Sequence, residues 1–193
     1  MKFNVTRLIL CLCTLVLLCD GASAQQQTFQ AITYRLAMAR PVSHLFEVSI
    51  EVELPADFKE TSVSFQMPKW SPGRYAVFDF AKNVQEVHAQ SGICPPKAQC
   101  KMAPRPVTRV DDQTWSVETQ GSSSLTFSYK VFANNLSGTF SQLDERHGNY
   151  NGGSIFMYVL DHKPDPVKLI IDPPSGWKVV NGRTERPRRK LES

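Results

Sequence analysis

The chain has 193 residues, of which 41% are hydrophobic and 21% are charged, and its formal net charge at pH 7 is +4. The positive excess lies at the two termini: residues 1–24 carry a net +1 and residues 183–193 a net +3, so residues 25–182 are neutral. A neutral body gives no support for nucleic acid as a partner, because nucleic-acid binding needs a basic surface, and its length suits one domain.

Residues 1–24 have the three parts of a secretory signal peptide. Lys2 and Arg7 give a positive start, Leu8–Leu18 is an apolar run interrupted once, and Ala22-Ser23-Ala24 is a small-residue cleavage site. The apolar run is shorter than the about 20 residues that span a bilayer. We therefore expect cleavage after residue 24, export to the periplasm or the extracellular space, and no membrane attachment of the mature chain.

Two of the five cysteines, Cys94 and Cys100, lie outside this segment. An even pair in an exported chain indicates a disulfide. The alternative is a pair of metal ligands, but structural zinc sites usually have four ligands and no second cysteine pair is present. Lipid attachment at Cys19 is disfavoured by the large Leu18 before it.

Several segments alternate between apolar and polar side chains, which is typical of strands with one buried face. The predicted strands are Tyr34–Met38, His44–Leu54, Val63–Met67, Tyr75–Phe80, Trp115–Val117, Ser124–Ala133, Ser154–Leu160 and Val167–Ile171. Ser154–Leu160 is apolar throughout, and Val167, Leu169 and Ile171 are predicted to point inward. No stretch has helical spacing. The sequence therefore predicts an all-β fold, an antiparallel β-sandwich over residues 25–182, followed by a disordered basic C-terminal tail at 183–193.

The stretch "PKWSPGR" predicts the most constrained turn of the chain. Pro68 ends the strand before it, because proline has no N–H for the ladder. Ser71–Arg74 suits a type II turn, with Pro72 fixing one φ and Gly73 supplying a positive one. Trp70 is predicted to fill one end of the sandwich, because buried aromatic rings dominate core energetics.

The longer stretch "PKWSPGRYAVFDFAKNV" resembles a signature of the glycyl aminopeptidase family, the sixty-first family of metallopeptidases. The matching positions of the turn are Pro68, Trp70, Pro72, Gly73, Tyr75 and Asp79, followed by residues 80–84. Four more segments, "VDDQTWSVET", "LTFSYKVFANN", "YNGGSIFMYV" and "DPPSGWKV", are similar to family segments and occur in family order. The resemblance covers most of residues 34–180.

This resemblance implies that residues 25–182 are the family's N-terminal β-sandwich domain. In such enzymes a thermolysin-like catalytic domain follows, with a zinc-binding His-Glu-x-x-His helix and a downstream glutamate, and a PDZ-like domain often comes after it. The family implies removal of N-terminal residues from peptides, with a preference for glycine or alanine. The implied partners are the catalytic domain and, through it, peptide substrates, and zinc is expected only in that catalytic domain.

The sequence departs from the family because it has no His-Glu-x-x-His motif. Its histidines are His44, His88, His147 and His162. No two are four residues apart, the spacing that lets one helix face hold zinc. We therefore expect a chain with no catalytic residue, metal ligand or cofactor of its own, as in an enzyme cut short before its catalytic domain by natural truncation, a frameshift or a fragmentary gene. The polar residues Asp144, Glu145, His147 and Asn149 are interpreted as a solvated loop.

Tyr150, Asn151 and Gly152 are the candidate residues of a substrate cleft. Asn151 matches the asparagine of the family's Phe-Asn-Gly and can accept a hydrogen bond from a peptide N-terminus, while Gly152 allows close backbone approach. The alternative is that Asn151 and the glycines only make the turn into the next strand.

Two functions are compatible with the sequence. The first is a non-catalytic domain that supports a catalytic domain and helps to form its substrate cleft. The alternative is a free-standing secreted β-sandwich module that binds peptides or glycans. Exposure of Trp70, Tyr75 or Trp177 as an aromatic platform would favour the second function.

Overall fold

A computed structural model describes residues 28–29, 32–71, 73–95 and 100–180. Within these residues the chain forms twelve strands, two 3₁₀ turns at Pro41–Ser43 and Phe80–Asn83, and a short helix, α1, at Gly152–Ile155. The strands are β1 (Ile32–Ala37), β2 (Leu45–Glu53), β3 (Ser62–Gln66), β4 (Val84–Ile93), β5 (Lys101–Arg105), β6 (Val107–Arg109), β7 (Thr114–Glu118), β8 (Ser124–Phe132), β9 (Gln142–Leu143), β10 (Gly148–Asn149), β11 (Tyr158–Val159) and β12 (Val167–Asp172).

Two sheets form a sandwich around one core. The larger sheet has the order β12-β1-β2-β8-β4-β5, and the smaller one has the order β11-β3-β7-β6. Strands β9 and β10 form a separate hairpin. Every pair in the two sheets is antiparallel except β1 with β12. The predicted all-β antiparallel sandwich is therefore confirmed.

The core follows the period-two pattern of the sequence. The ring of Phe65 in β3 stacks on that of Phe127 in β8, with centroids 4.2 Å apart, and joins the two sheets. The buried residues of the central strands, as predicted, include Phe46, Val48, Ile50, Val52, Val63, Val117, Leu125, Tyr129 and Val131. Opposite side chains of these strands point to the outer faces and are mainly polar.

Tyr129 ties β8 to the segment that follows α1. Its buried hydroxyl donates to Ile155 O at 3.0 Å and accepts from Met157 N at 2.8 Å. Burial raises the pKa of this hydroxyl above its ordinary value. Because the hydroxyl satisfies two backbone groups that no strand ladder reaches, it fixes the chain between α1 and β11.

The strand register places one set of loops at the same end of the sandwich. Phe132, the last residue of β8, pairs with Leu45, the first residue of β2. Val84, the first residue of β4, pairs with Val131 beside it. Residues 68–79, which join β3 to β4, therefore lie at this end. We call residues 68–79 the signature loop and this end of the sandwich the signature end.

The chain also leaves the sandwich at the signature end. Asp172, the last residue of β12, pairs with Ala37, the last residue of β1. Residues 173–180 follow, and Trp177 lies against Gly148 of the β9–β10 hairpin. The stretch that leads toward residue 181 is thus on the same side of the molecule as the signature loop.

The first described residues are held at the opposite end. The backbone N–H of Phe29 donates to the buried Asp165 carboxylate at 2.7 Å, and its ring stacks on His162 at 3.7 Å. His162 Nδ1 lies 2.9 Å from the same carboxylate. The turn before β12 therefore anchors the chain just ahead of β1.

Two predicted strands are wrong. Residues 75–79 form no strand, and Phe80–Asn83 is a 3₁₀ turn. Ser154–Leu160 is divided between α1 and β11. The reason is local in the second case: the Asn151 side chain accepts a hydrogen bond from Gly153 N and so begins a helical turn, and an apolar run alone does not distinguish a short helix from a strand.

The prediction for β12 is correct for the strand and only partly for its burial. Ile171 is half-buried, but Val167 is 56% exposed and Leu169 is 37% exposed. These residues are in register with Ile32 and Tyr34 of β1, which do face the core. β12 lies at the edge of the larger sheet, where core coverage ends.

The predicted disulfide is confirmed, since Cys94 and Cys100 are bonded. They follow β4 at the end opposite the signature loop. The predicted signal peptide at 1–24 and basic tail at 183–193 lie outside the described residues, as does Pro72. No helix among the described residues has the length and apolar character required to cross a membrane.

Candidate functional site at the signature end

The signature loop leaves the sandwich and returns to it at one point. Phe78 N donates to Lys69 O at 2.6 Å, which closes the loop at its base. Farther out, Arg74 N donates to Ser71 O at 3.2 Å, and Gly73 has a φ of 84°. The predicted turn, with its glycine at positive φ, is thus present in the loop.

Aromatic rings fix the base of the loop. The centroid of the buried Phe80 ring lies 5.5 Å from that of Phe78 and 5.4 Å from that of Phe140. The Lys69 ammonium also pairs with Asp112 at 3.0 Å. An exposed ion pair of this kind contributes little to stability, so packing of the rings is the main restraint.

The prediction that Trp70 fills the core is wrong. Its side chain is 60% exposed, and the core beside the loop is filled instead by Met67 and Phe80. The bond that closes the loop at its base places Trp70 outside the sandwich. Tyr75 is fully exposed and Val77 is 79% exposed. These three exposed side chains belong to one loop whose base is fixed, and they are together called the loop surface here.

Pro68 and Asp79, two further residues of the family signature, lie at the two ends of the signature loop. Pro68 is half-buried and follows the end of β3. Asp79 is exposed and precedes the 3₁₀ turn at Phe80–Asn83 without making a capping hydrogen bond. Neither residue adds to the loop surface.

Asn151 connects three loops at the signature end. Its Nδ2 donates to Gly138 O at 2.9 Å and lies 3.4 Å from Ser71 Oγ, in the signature loop. Its Oδ1 accepts from Gly153 N at 3.0 Å, and its own backbone N donates to Ser141 Oγ at 2.9 Å. The carboxamide therefore organises these loops, as the turn-forming interpretation of Asn151 requires.

The other two cleft candidates lie beside Asn151. The half-buried Tyr150 ring packs edge-on against Phe156 at 5.9 Å, and burial raises the pKa of its hydroxyl. Gly152 is exposed at the start of α1. Gly153 lies next to the carbonyl of Trp70. The structure thus brings Tyr150, Asn151 and Gly152 together with the signature loop, although 80 residues separate Asn151 from its Ser71 contact.

The sequence that contains these segments matches a known protein family. The Peptidase M61 N-terminal domain matches residues 33–190. The chain belongs to this family. The match includes the signature loop and the Asn151 segment, and it extends past residue 182, the predicted end of the domain. No curated protein matches the sequence.

Solved structures include proteins to which this M61 domain is similar. An aminopeptidase N family protein from Idiomarina loihiensis is 26% identical, with a TM-score of 0.64, and the similarity covers 75% of this chain and 22% of that one. An M1 zinc metallopeptidase from Deinococcus radiodurans is 13% identical, with a TM-score of 0.41 over 75% of this chain and 31% of that one. The M61 domain therefore spans about a fifth of the length of the first protein.

Sequence reasoning missed an open cleft of about 190 Å³ beside the Asn151 segment. The polar residues that line it are Lys82, Asn83, Asn134, Asn135, Ser141 and Ser154. The signal was the pair of polar stretches "AKN" and "ANN", each of which lies next to an apolar strand. Amide, hydroxyl and ammonium groups can bind polar backbone or carboxylate groups. Among the described residues, the histidine rings form hydrogen bonds with carbonyl, amide or carboxylate oxygens and not with a hydroxyl or thiol.

In the described part of the M61 domain, a metal ion would need a cluster of the side chains that hold metal ions in proteins. No group of three or more His, Cys, Asp or Glu side chains is placed there to hold a metal ion. Asp144, from the polar loop noted in the sequence, instead accepts from Arg146 N and His147 N at 2.8 and 3.0 Å. These backbone hydrogen bonds are the main reason that the pKa of Asp144 is lowered. This geometry is that of a turn that closes the β9–β10 hairpin.

Proposed function

We propose that this M61 domain is the exported, non-catalytic N-terminal domain of a glycyl aminopeptidase-like zinc peptidase. Its signature end supports a catalytic domain and helps to form the cleft that receives a peptide. Export is proposed from the features of residues 1–24 and from the disulfide, which is typical of oxidising compartments.

The loop surface is the observation that supports this proposal most directly. Trp70, Tyr75 and Val77 expose large apolar side chains from a loop held by buried rings. Exposed apolar patches on otherwise well-packed domains mark interaction sites. A loop with a fixed base loses little conformational freedom when a partner covers it, which favours binding.

The path of the chain also supports an interface at the signature end. Residues 173–180 leave the sandwich at the signature end. A domain that continues from residue 180 would therefore begin at the same end of the sandwich as the loop surface. The Asn151 segment and the cleft near Lys82 and Asn134 would lie close to the boundary of the two domains, where substrate clefts commonly occur.

A genetic observation gives the first test. The DNA that follows the codon for Lys178 is expected to encode a His-Glu-x-x-His motif in one of its reading frames. Absence of such a motif from every frame of the neighbouring DNA would contradict the proposed partner domain.

A kinetic experiment then tests the interface. The M61 domain is joined to that catalytic domain, and release of nitroaniline from glycyl- and alanyl-nitroanilide is measured. The double substitution Trp70→Ala and Tyr75→Ala is expected to lower kcat/KM by roughly tenfold, equivalent to about 1.4 kcal/mol. Ile93→Ala is the matched control, because Ile93 is 64% exposed at the opposite end. If the double variant and the control had the same kcat/KM, the proposal that the loop surface belongs to the interface would be wrong.

The exposure of Trp70 and Tyr75 also favours the second function, a secreted module that binds peptides or glycans. Trp177 does not extend this platform, since it is half-buried against the core. Quenching of tryptophan fluorescence by peptides or oligosaccharides in the chain alone, lost in Trp70→Ala, would support the module. Quenching that occurs only after the catalytic domain is joined would support the first function.

A further inference from the structure

Strand β12 forms one edge of the larger sheet. It pairs with β1 on one side, and within the described residues no strand pairs with its other side. Ile32 N donates to Pro166 O, so in this parallel register the backbone groups of the even-numbered residues face β1. The N–H and C=O groups of Val167, Leu169 and Ile171 therefore point away from the sheet and remain available to a further strand.

The side chains of β12 are unusually apolar for an exposed edge. Val167, Leu169 and Ile171 lie on the core side, and Ile170 lies on the outer side with Lys168 and Asp172. Val167 and Leu169 are exposed although they lie on the core side. A strand with apolar groups on both faces suits a position inside a sheet better than one at its edge.

We propose that β12 pairs with β12 of a second copy of this chain, in an antiparallel register that places Ile170 opposite Ile170. The two larger sheets then form one continuous sheet across a two-fold axis. A symmetric pairing of this kind uses the same patch on both copies, as closed dimers do.

Charge selects both the partner and the register. With Ile170 on the two-fold axis, Lys168 of each copy lies opposite Asp172 of the other, and Leu169 lies opposite Ile171. Opposite charges at facing positions stabilise antiparallel pairs. Asp172 already binds Arg35 at 2.6 Å, and its carboxylate has further lone pairs for Lys168. Within the part of the chain that the structure describes, Lys168 forms no ion pair.

Prolines limit the pairing to this segment. Pro166 precedes β12, and Pro173 and Pro174 follow it. Proline cannot donate to a ladder, so the pairing cannot extend into a longer, less specific edge contact. Six residues a side bury less than the about 1,600 Å² of a standard interface. The dimer is therefore weak and forms in the micromolar range or above. This inference does not depend on the proposed partner domain.

A cysteine placed on the two-fold axis tests the register. Facing residues that do not exchange hydrogen bonds have Cα atoms about 4.5 Å apart, a separation that a disulfide accepts. Ile170→Cys, in the chain expressed from its complete coding sequence, is expected to form a disulfide-linked dimer under mild oxidation. Thr108→Cys, on the exposed edge strand β6 of the other sheet, is the control and is expected to remain monomeric. Equal cross-linking of the two variants would overturn the pairing, as would preferential cross-linking of Leu169→Cys, which marks a different register.

Charge exchange provides a second measurement that needs no cross-link. Sedimentation of the unsubstituted chain across the micromolar range is expected to show a monomer–dimer equilibrium. Lys168→Asp places like charges opposite each other twice and is expected to raise the dissociation constant at least about tenfold. Adding Asp172→Lys to it makes the facing charges opposite again and is expected to lower the dissociation constant toward the original value, although the ion pair with Arg35 is lost. Lys101→Asp, on the other edge of the same sheet, is expected to have no effect. A chain that stays monomeric throughout, or a Lys168→Asp variant that dimerises as the parent does, would refute the proposal.

Discussion

Replacement of Trp70 and of Phe80 by alanine should have very different effects on stability, although both residues belong to the family signature. Phe80 is fully buried against two other rings, and Trp70 is 60% exposed. Removing a fully buried aromatic side chain costs about 3–5 kcal/mol. That range is the expected loss for Phe80→Ala.

The loss for Trp70→Ala follows from the area that the ring still buries. With 60% of the side chain exposed, about 100 Å² of the roughly 250 Å² of a tryptophan is covered. At about 25 cal/mol per Å², this area contributes at most about 2.5 kcal/mol. Part of it is retained by the alanine, and part is already covered in the unfolded chain. We therefore expect a loss of about 1 kcal/mol in the free energy of unfolding.

Urea unfolding followed by tryptophan fluorescence measures both losses. Trp115 is buried between the sheets and still reports on the core when Trp70 is absent. The midpoint should fall slightly in Trp70→Ala and strongly in Phe80→Ala, with the slope unchanged in both. If Trp70→Ala lost as much stability as Phe80→Ala, the tryptophan ring would be buried and the loop surface would not exist.

Three further changes test other parts of the structure. Tyr129→Phe leaves two buried backbone groups without a partner and should lower the free energy of unfolding by about 1–3 kcal/mol in the same urea assay. Gly92→Ala should also destabilise, by about 1–3 kcal/mol, because the new Cβ would lie 1.9 Å from Lys101 O on the paired strand; an unchanged melting temperature would contradict the close pairing of β4 and β5. Burial raises the pKa of Tyr34 to about 12, so the neutral phenol is favoured in the fold. The neutral Tyr34 phenol contributes fully to the free energy of unfolding below the ordinary pKa of tyrosine, about 10, and this contribution should be lost as the pH rises toward 12. A pH titration followed by tyrosinate absorbance checks the raised pKa. Tyr34→Phe should remove part of the loss of stability at high pH.

Period-two alternation predicted the sandwich because most of its strands have one buried face. It failed for β4, which the sequence analysis did not identify. The pairing of β4 with β8 shifts between Gln85 and His88, and Glu86 has a positive φ of 50°. Such a bulge inserts an extra residue and reverses the face of every residue after it. The apolar residues of β4 therefore lack a constant period.

At the signature end, a different reason limited what could be predicted from the sequence. The local sequence predicted the turn at Gly73, because glycine has no Cβ and readily adopts a positive φ. The exposure of Trp70 depends on where the loop closes, through a backbone bond between Lys69 and Phe78. The association of Asn151 with Ser71 depends on the fold as a whole. Neither contact has a local sequence signal, so the family resemblance grouped these segments without giving their geometry.

Phe29 and residues 173–180 lie at opposite ends of the sandwich, which gives the molecule a direction that can be used in the laboratory. Phe29 is anchored by Asp165 at the end opposite the signature loop. A biotin or a fusion partner attached ahead of Thr28 would therefore hold the domain on a sensor chip with Trp70 and Tyr75 facing the solution. Attachment after residue 180 would place the support at the same end of the domain as those side chains. Immobilisation through the two termini thus provides paired orientations, and a ligand of the loop surface should bind well in the first and poorly in the second.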